Sequence, residues 1–191
     1  MDFSFNKLSK KNKNQAGKQE SLDELNEKNR RGNSKSNGGS GGDLSLKIAF
    51  LGAAMAGKTA FAAKYAMDRY NDSYTQTVGA LFFNKSLFVG GRDVRLQIWD
   101  VSGSERYASL ASMYFRGAAG IVIGYDITEP SSLSKARTWY NAVRTSGIAN
   151  NTVFMVIGYK ADLEESRRVP YSDGEAFARE VSTVPYFEGK Y

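Results

Sequence analysis

Gly52-Ala53-Ala54-Met55-Ala56-Gly57-Lys58-Thr59 fits the pattern G-x-x-x-x-G-K-[ST], and its setting decides how the rest of the chain is understood. It follows the short apolar run Leu46 to Leu51, a strand by its composition, and opens a helical stretch from Gly57 to Arg69. The glycines let successive backbone N–H groups curl around phosphate oxygens, and the helix N-terminus adds its positive dipole end. Lys58 supplies a point charge for phosphate, and the Thr59 hydroxyl suits a magnesium ion. Gly52, Ala54, Met55, Ala56, Gly57, Lys58, Thr59 and Ala60 are therefore the candidate phosphate-binding positions.

Outward from this loop, short strands alternate with helices. Leu81 to Val89 and Val94 to Trp99 form a hairpin at Gly90-Gly91. Val94, Leu96 and Ile98 alternate with Arg95 and Gln97, as on a half-exposed strand. Gly120 to Tyr125 and Thr152 to Ile157 are near-continuous apolar runs that suit strands covered on both faces. Between them Leu133, Ala136, Tyr140 and Val143 recur at helical spacing, and Ser172-x-x-Glu175 predicts a capping box opening a later helix. The order βα-ββ-α-βα-βα-β predicts an α/β fold: a mainly parallel six-stranded sheet with one antiparallel hairpin strand and helices on both faces.

Residues 1–43 have another character. They are rich in Lys, Asn, Ser and Gly, carry nine Lys/Arg against six Asp/Glu, and end in a Gly/Ser run. This composition predicts a disordered basic tail before a domain over 44–191. Among 191 residues there is no cysteine and no histidine, which excludes disulfides, thiolate metal sites, cysteine nucleophiles and Ser-His-Asp catalysis. The net charge of +6 resides half in the tail, without base-stacking motifs, so no nucleic-acid partner is expected. No apolar run reaches the ~18 residues of a membrane span, and a cytoplasmic protein is expected.

Ile98-Trp99-Asp100-Val101-Ser102-Gly103 ends the second hairpin strand in D-x-x-G, about forty residues after Lys58. Ligands of parallel sheets sit over the carboxyl ends of the strands. Asp100 is thus placed to hold the magnesium shell, and the Gly103 N–H to meet a terminal phosphate. Ile157-Gly158-Tyr159-Lys160-Ala161-Asp162 follows the fifth strand. This segment resembles the N-K-x-D loop of small GTPases, and the resemblance implies that Asp162 accepts hydrogen bonds from guanine N1–H and the 2-amino group, donors that adenine lacks at that edge. The Lys160 stem can lie along the purine face.

From Lys47 to about Glu188 the chain resembles small GTPases of the Ras superfamily, and specifically the Rab family. The resemblance is carried by Trp99-Asp100-x-x-Gly103-x-Glu105-Arg106-Tyr107, Tyr114-Phe115-Arg116-Gly117-Ala118, Tyr125-Asp126-Ile127-Thr128 and Lys160-x-Asp162. Ser109-Leu110-Ala111-Ser112-Met113-Tyr114 leans toward the endosomal Rabs. The resemblance implies GTP/GDP as ligand with Mg²⁺ held by Thr59, Thr77 and Asp100. It places Thr77 in switch I and Tyr70 against the guanine edge. Lys58, Thr77, Gly103 and Ser104 fall at the family's catalytic positions. Effectors reading a surface around Phe82, Trp99 and Tyr114, an exchange factor, an activating protein and a monomeric state are implied, with a role in vesicle traffic at the cytosolic face of endosomal membranes.

Departures from the family pattern temper these expectations. Tyr159 stands where the family has an asparagine that bonds guanine N7, an exchange expected to weaken binding about ten- to a hundred-fold. Ser104 replaces the glutamine that orients water, so slow intrinsic hydrolysis is expected. Ala54 and Met55 stand where glycines are frequent. Gly189-Lys190-Tyr191 replaces the Ser-Ala base loop, and the sequence stops before the family's closing helix and prenylated cysteines. An incomplete domain that meets membranes only indirectly is expected. A pseudo-GTPase that binds through its surface and hydrolyses little is the alternative. A P-loop kinase or ATPase fits poorly, since Lys160-x-Asp162 has no role in reading adenine.

Overall fold

A computed structural model describes residues 44–68, 75–104, 110–148, 152–182 and 184–190. The tail 1–43, Tyr70, and Glu105 to Ser109 of the segments quoted above lie outside the described residues.

Six strands form one sheet in the order β2-β3-β1-β4-β5-β6. β1 is Leu44–Gly52, β2 Ala80–Val89, β3 Arg92–Val101, β4 Gly120–Asp126, β5 Val153–Tyr159 and β6 Phe187–Gly189. Only β2 and β3 run antiparallel; β1 pairs parallel with β3 and β4, and β5 with β4 and β6. The hairpin closes at Gly90 and Gly91, with φ of 59° and 78°. Two successive positive φ values match the twist of a two-residue hairpin turn, and glycine adopts them without a Cβ penalty.

Strand alternation divides the core between two faces. Ala49, Leu51, Val101, Ile121, Ile123 and Tyr125 share a cluster with residues of α2 (Ala111–Phe115), α3 (Pro130–Thr145) and α4 (Tyr171–Val181). Phe50, Ile98, Val122, Ile157 and Tyr159 form the other cluster with Ala62 of α1 (Lys58–Met67). Helices therefore cover both faces, as the alternating pattern requires.

Helix ends follow local chemistry, with one correction. α1 stops at Asp68, which takes φ 54° while its N–H bonds Lys64 O at 2.9 Å. α3 starts after Glu129, whose carboxylate accepts the Ser131 N–H at 3.1 Å, with Pro130 at the first helical position. The capping box at Ser172 does not form. Pro170 is the N-cap, and its carbonyl accepts from Asp173 N at 3.0 Å, so the helix begins one residue before Ser172. Ser172 is consumed inside the first turn, and Glu175 pairs with Arg179 at 3.1 Å instead.

Phe177 of α4 is fully buried, with Arg137 4.5 Å above its ring and the Tyr140 ring 6.3 Å away. Phe177→Ala should lower unfolding free energy by about 3–5 kcal/mol, as measured by urea denaturation.

Candidate functional site

The phosphate loop leaves β1 where the strand ends between β3 and β4. Gly52 has φ 135° and Gly57 φ 114°, both favourable only to glycine, and between them Met55 takes φ 60° with its side chain exposed. Ala53 and Ala56 face the core, and Ala60 is buried behind the loop. Gly57 is the N-cap of α1, so the helix aims its free amides at the concavity. Lys58 folds back under the loop: its Nζ donates to Gly52 O at 3.2 Å and Ala53 O at 2.6 Å. Burial pushes its pKa down, opposed by the charge of Asp100.

Asp100 reaches the same place because it pairs in register with Phe50, two residues before the loop begins. Its carboxyl is fully buried and pushed up to about 6 by desolvation, against the pull of Lys58 and hydrogen bonds from Thr59 and Thr77. Thr59 Oγ1 donates to Asp100 Oδ2 at 2.5 Å and lies 2.8 Å from Thr77 Oγ1. Asp100 Oδ1 has no hydrogen-bond partner among the described residues. A buried carboxylate oxygen left over beside two hydroxyls is a hard-oxygen donor set, the chemistry that suits Mg²⁺. The three residues expected to share a metal thus converge, although Thr77 lies 18 residues from Thr59 and Asp100 lies 41 from it.

Gly103 sits against the phosphate loop, where a Cβ would overlap Ala54 N, Gly52 O and Ala53 C. The glycine is required for this close approach, independently of any phosphate contact. Ser104 follows it, its N–H bonded to Ser102 Oγ at 3.3 Å.

Just after β5 Lys160 takes φ 65°, and its Nζ pairs with Asp126 Oδ2 at 2.6 Å. Asp126 Oδ1 accepts from Thr128 N at 2.8 Å and Thr128 Oγ1 at 2.7 Å, which fixes the carboxylate for the lysine. Asp126 belongs to this site, yet the sequence reading used it only as part of a family segment. The signal was its position at the end of a buried strand beside β5. Asp162 is exposed on the turn after β5. The turn is tied to β6 by Ala161 N donating to Gly189 O at 3.3 Å. Glu188 anchors β6 in turn, accepting from Arg167 Nη1 at 2.9 Å and the Tyr186 hydroxyl at 2.6 Å. Tyr159 is fully buried, its ring 5.5 Å from Phe61 of α1. Trp99 lies between Phe82 and Tyr114, with ring centroids 5.1 Å and 6.1 Å away, and Tyr114 is buried.

A carboxyl whose folded pKa lies near 6, above the unfolded value of 3.8, is destabilising when ionised. In metal-free protein this penalty is absent below about pH 4, grows as pH rises through 6, and is complete above it. Asp100→Asn should therefore change the melting temperature in EDTA more favourably at pH 7.5 than at pH 4, with the gain offset by the attraction that buried Lys58 loses. It should also flatten the melting-temperature profile between about pH 4 and 6.

The Ras family model matches residues 47–190, almost the whole described domain. The chain is 37% identical over 144 residues to Ras-related protein Rab-21 of Dictyostelium discoideum, an alignment covering 75% of this chain and 68% of that protein. It is 39% identical over 147 residues to GTP-binding protein YPTM1 of Zea mays, covering 76% and 69%. To Ras-related protein RABF2a of Arabidopsis thaliana it is 37% identical over 140 residues, covering 73% and 70%. The sheet order, the loop between Gly52 and Thr59 and these similarities agree, and the chain belongs to the Ras family of small GTPases, as a protein of the Rab type.

Proposed function

We propose that this chain is a GTP/GDP switch of the Rab type with slow intrinsic hydrolysis, acting in vesicle traffic through effectors that recognise its nucleotide state. The observation that carries the reading is the convergence of Lys58, Thr59, Thr77 and Asp100 around the phosphate loop, with a buried carboxylate oxygen left for a cation. Thr59, Thr77 and Asp100 would hold Mg²⁺, whose charge offsets that of the phosphate oxygens when bound. Lys58 and the amides at the start of α1 hold the phosphates. Asp162 receives the guanine N1–H and 2-amino group, while Asp126 steadies the Lys160 stem along the ring.

Slow turnover follows from Ser104, whose side chain is too short to orient a water at the terminal phosphate. Ala54 and Met55 add bulk where an activating protein's arginine would enter. Ser104 and Tyr159 favour the second reading, a Rab-shaped module that acts through its surface and hydrolyses little. Phe82 and Trp99 offer a half-buried aromatic edge to effectors, with Tyr114 as its support. An exchange factor and an activating protein, a monomeric state, and a place at the cytosolic face of endosomal membranes complete the proposal.

Nucleotide-stripped protein should bind a fluorescent GDP analogue in preference to the ATP analogue and release phosphate slowly from GTP with magnesium. Binding of GTP without release selects the pseudo-GTPase, and preference for ATP overturns both readings. Lys58→Ala should cut GDP affinity at least a hundred-fold, because a buried ammonium facing phosphate is lost. Ser104→Gln should accelerate single-turnover phosphate release by about ten-fold or more, since the longer amide can orient water.

A further inference from the structure

Three residues from three adjacent strands meet beneath the phosphate loop. Gly52 ends β1, and a Cβ there would lie 3.0 Å from Gly124 C and 3.1 Å from Gly124 N and overlap the Gly124 carbonyl oxygen. Gly124 is its register partner on β4. A Cβ on Gly124 would in turn lie 2.8 Å from Cζ and 2.9 Å from Cδ2 of the Tyr159 ring, with Cε2 closer still. Tyr159 ends β5, is fully buried, leans on Phe61 of α1, and shares one apolar cluster with Ala53 and Ala56 of the loop. A large ring thus occupies a space that an absent side chain on the neighbouring strand creates. In a close-packed interior the ring without the glycine would overpack, and the glycine without the ring would leave a void.

We propose that Tyr159 is a positioning residue matched to Gly124: its ring supports the phosphate loop by aromatic packing, and because that ring is committed to the interior, the strand end reads no N7 on a bound guanine. This rests on the guanine-nucleotide reading above. A buried side chain with two torsions, wedged between Gly124 and Phe61, cannot also turn out toward a base. Selection then falls to the N1–H and 2-amino edge at Asp162. The site accepts purine nucleotides that keep that edge, including those altered at N7.

The test is competition of GDP and 7-deaza-GDP against a fluorescent GDP analogue, with release rates and melting temperatures for Gly124→Ala, Tyr159→Leu and the double variant. Wild-type affinities for GDP and 7-deaza-GDP should agree within about two-fold; a loss of ten-fold or more on removing N7 overturns the proposal. Gly124→Ala should speed GDP release at least ten-fold, and the double variant should release more slowly than Gly124→Ala alone, since the ring that the methyl strikes is gone. Additive effects, or a silent Gly124→Ala, overturn the matched pair. If Gly124→Ala does not fold, the wild-type competition alone decides. If wild-type protein binds neither nucleotide, the guanine reading fails and the N7 claim with it, while melting of the nucleotide-free variants still tests the pair.

Discussion

Where β3 ends and α1 begins, two charges lie buried together, the Lys58 ammonium and the Asp100 carboxylate. Removing each from water is expensive, and the interior returns only part of that cost through their mutual attraction. The remainder is met by hydrogen bonds: two loop carbonyls for Lys58, and the Thr59 and Thr77 hydroxyls for Asp100. One carboxylate oxygen stays unmatched, and burial makes Asp100 hold its proton more tightly than an exposed aspartate does. The fold therefore carries a buried polar cluster that its own side chains leave incomplete, with Asp100 Oδ1 unpartnered among the described residues.

Everything around that cluster serves to fix it. The β1–β3 register brings Asp100 beside Phe50. Gly103 lets the following segment lie directly on the loop. The buried Ser132 hydroxyl bonds both the N–H and the carbonyl of Asp126, joining the start of α3 to the strand end that holds Lys160. On the opposite face, α1 seals the loop from behind through Ala62 and Phe61. A site that must hold separated charges needs such a frame, because small displacements of buried charged groups are costly.

The end of β5 shows how a large ring can be accommodated beside the loop. Tyr159 is a buried aromatic ring, and Gly124 and Phe61 accept its volume. Apolar packing has no direction, so it can restore support beneath the phosphate loop.

Much of this was written in local order. The phosphate loop, the hairpin at Gly90-Gly91 and the strand–helix alternation depend on neighbouring residues, whose φ preferences and spacing are visible in sequence. D-x-x-G and Lys160-x-Asp162 were legible as candidates for the same reason. The role of Asp126, the failed cap at Ser172 and the fit of Tyr159 against Gly124 were not. Each depends on a partner brought near by β4–β5 pairing or by a neighbour's backbone that claims the helix start first. The sequence by itself determined which chemistry was present and the order of the elements. Only the tertiary structure decided which charges are buried together and which volumes compensate, because desolvation and packing belong to the space between strands and not to any one of them.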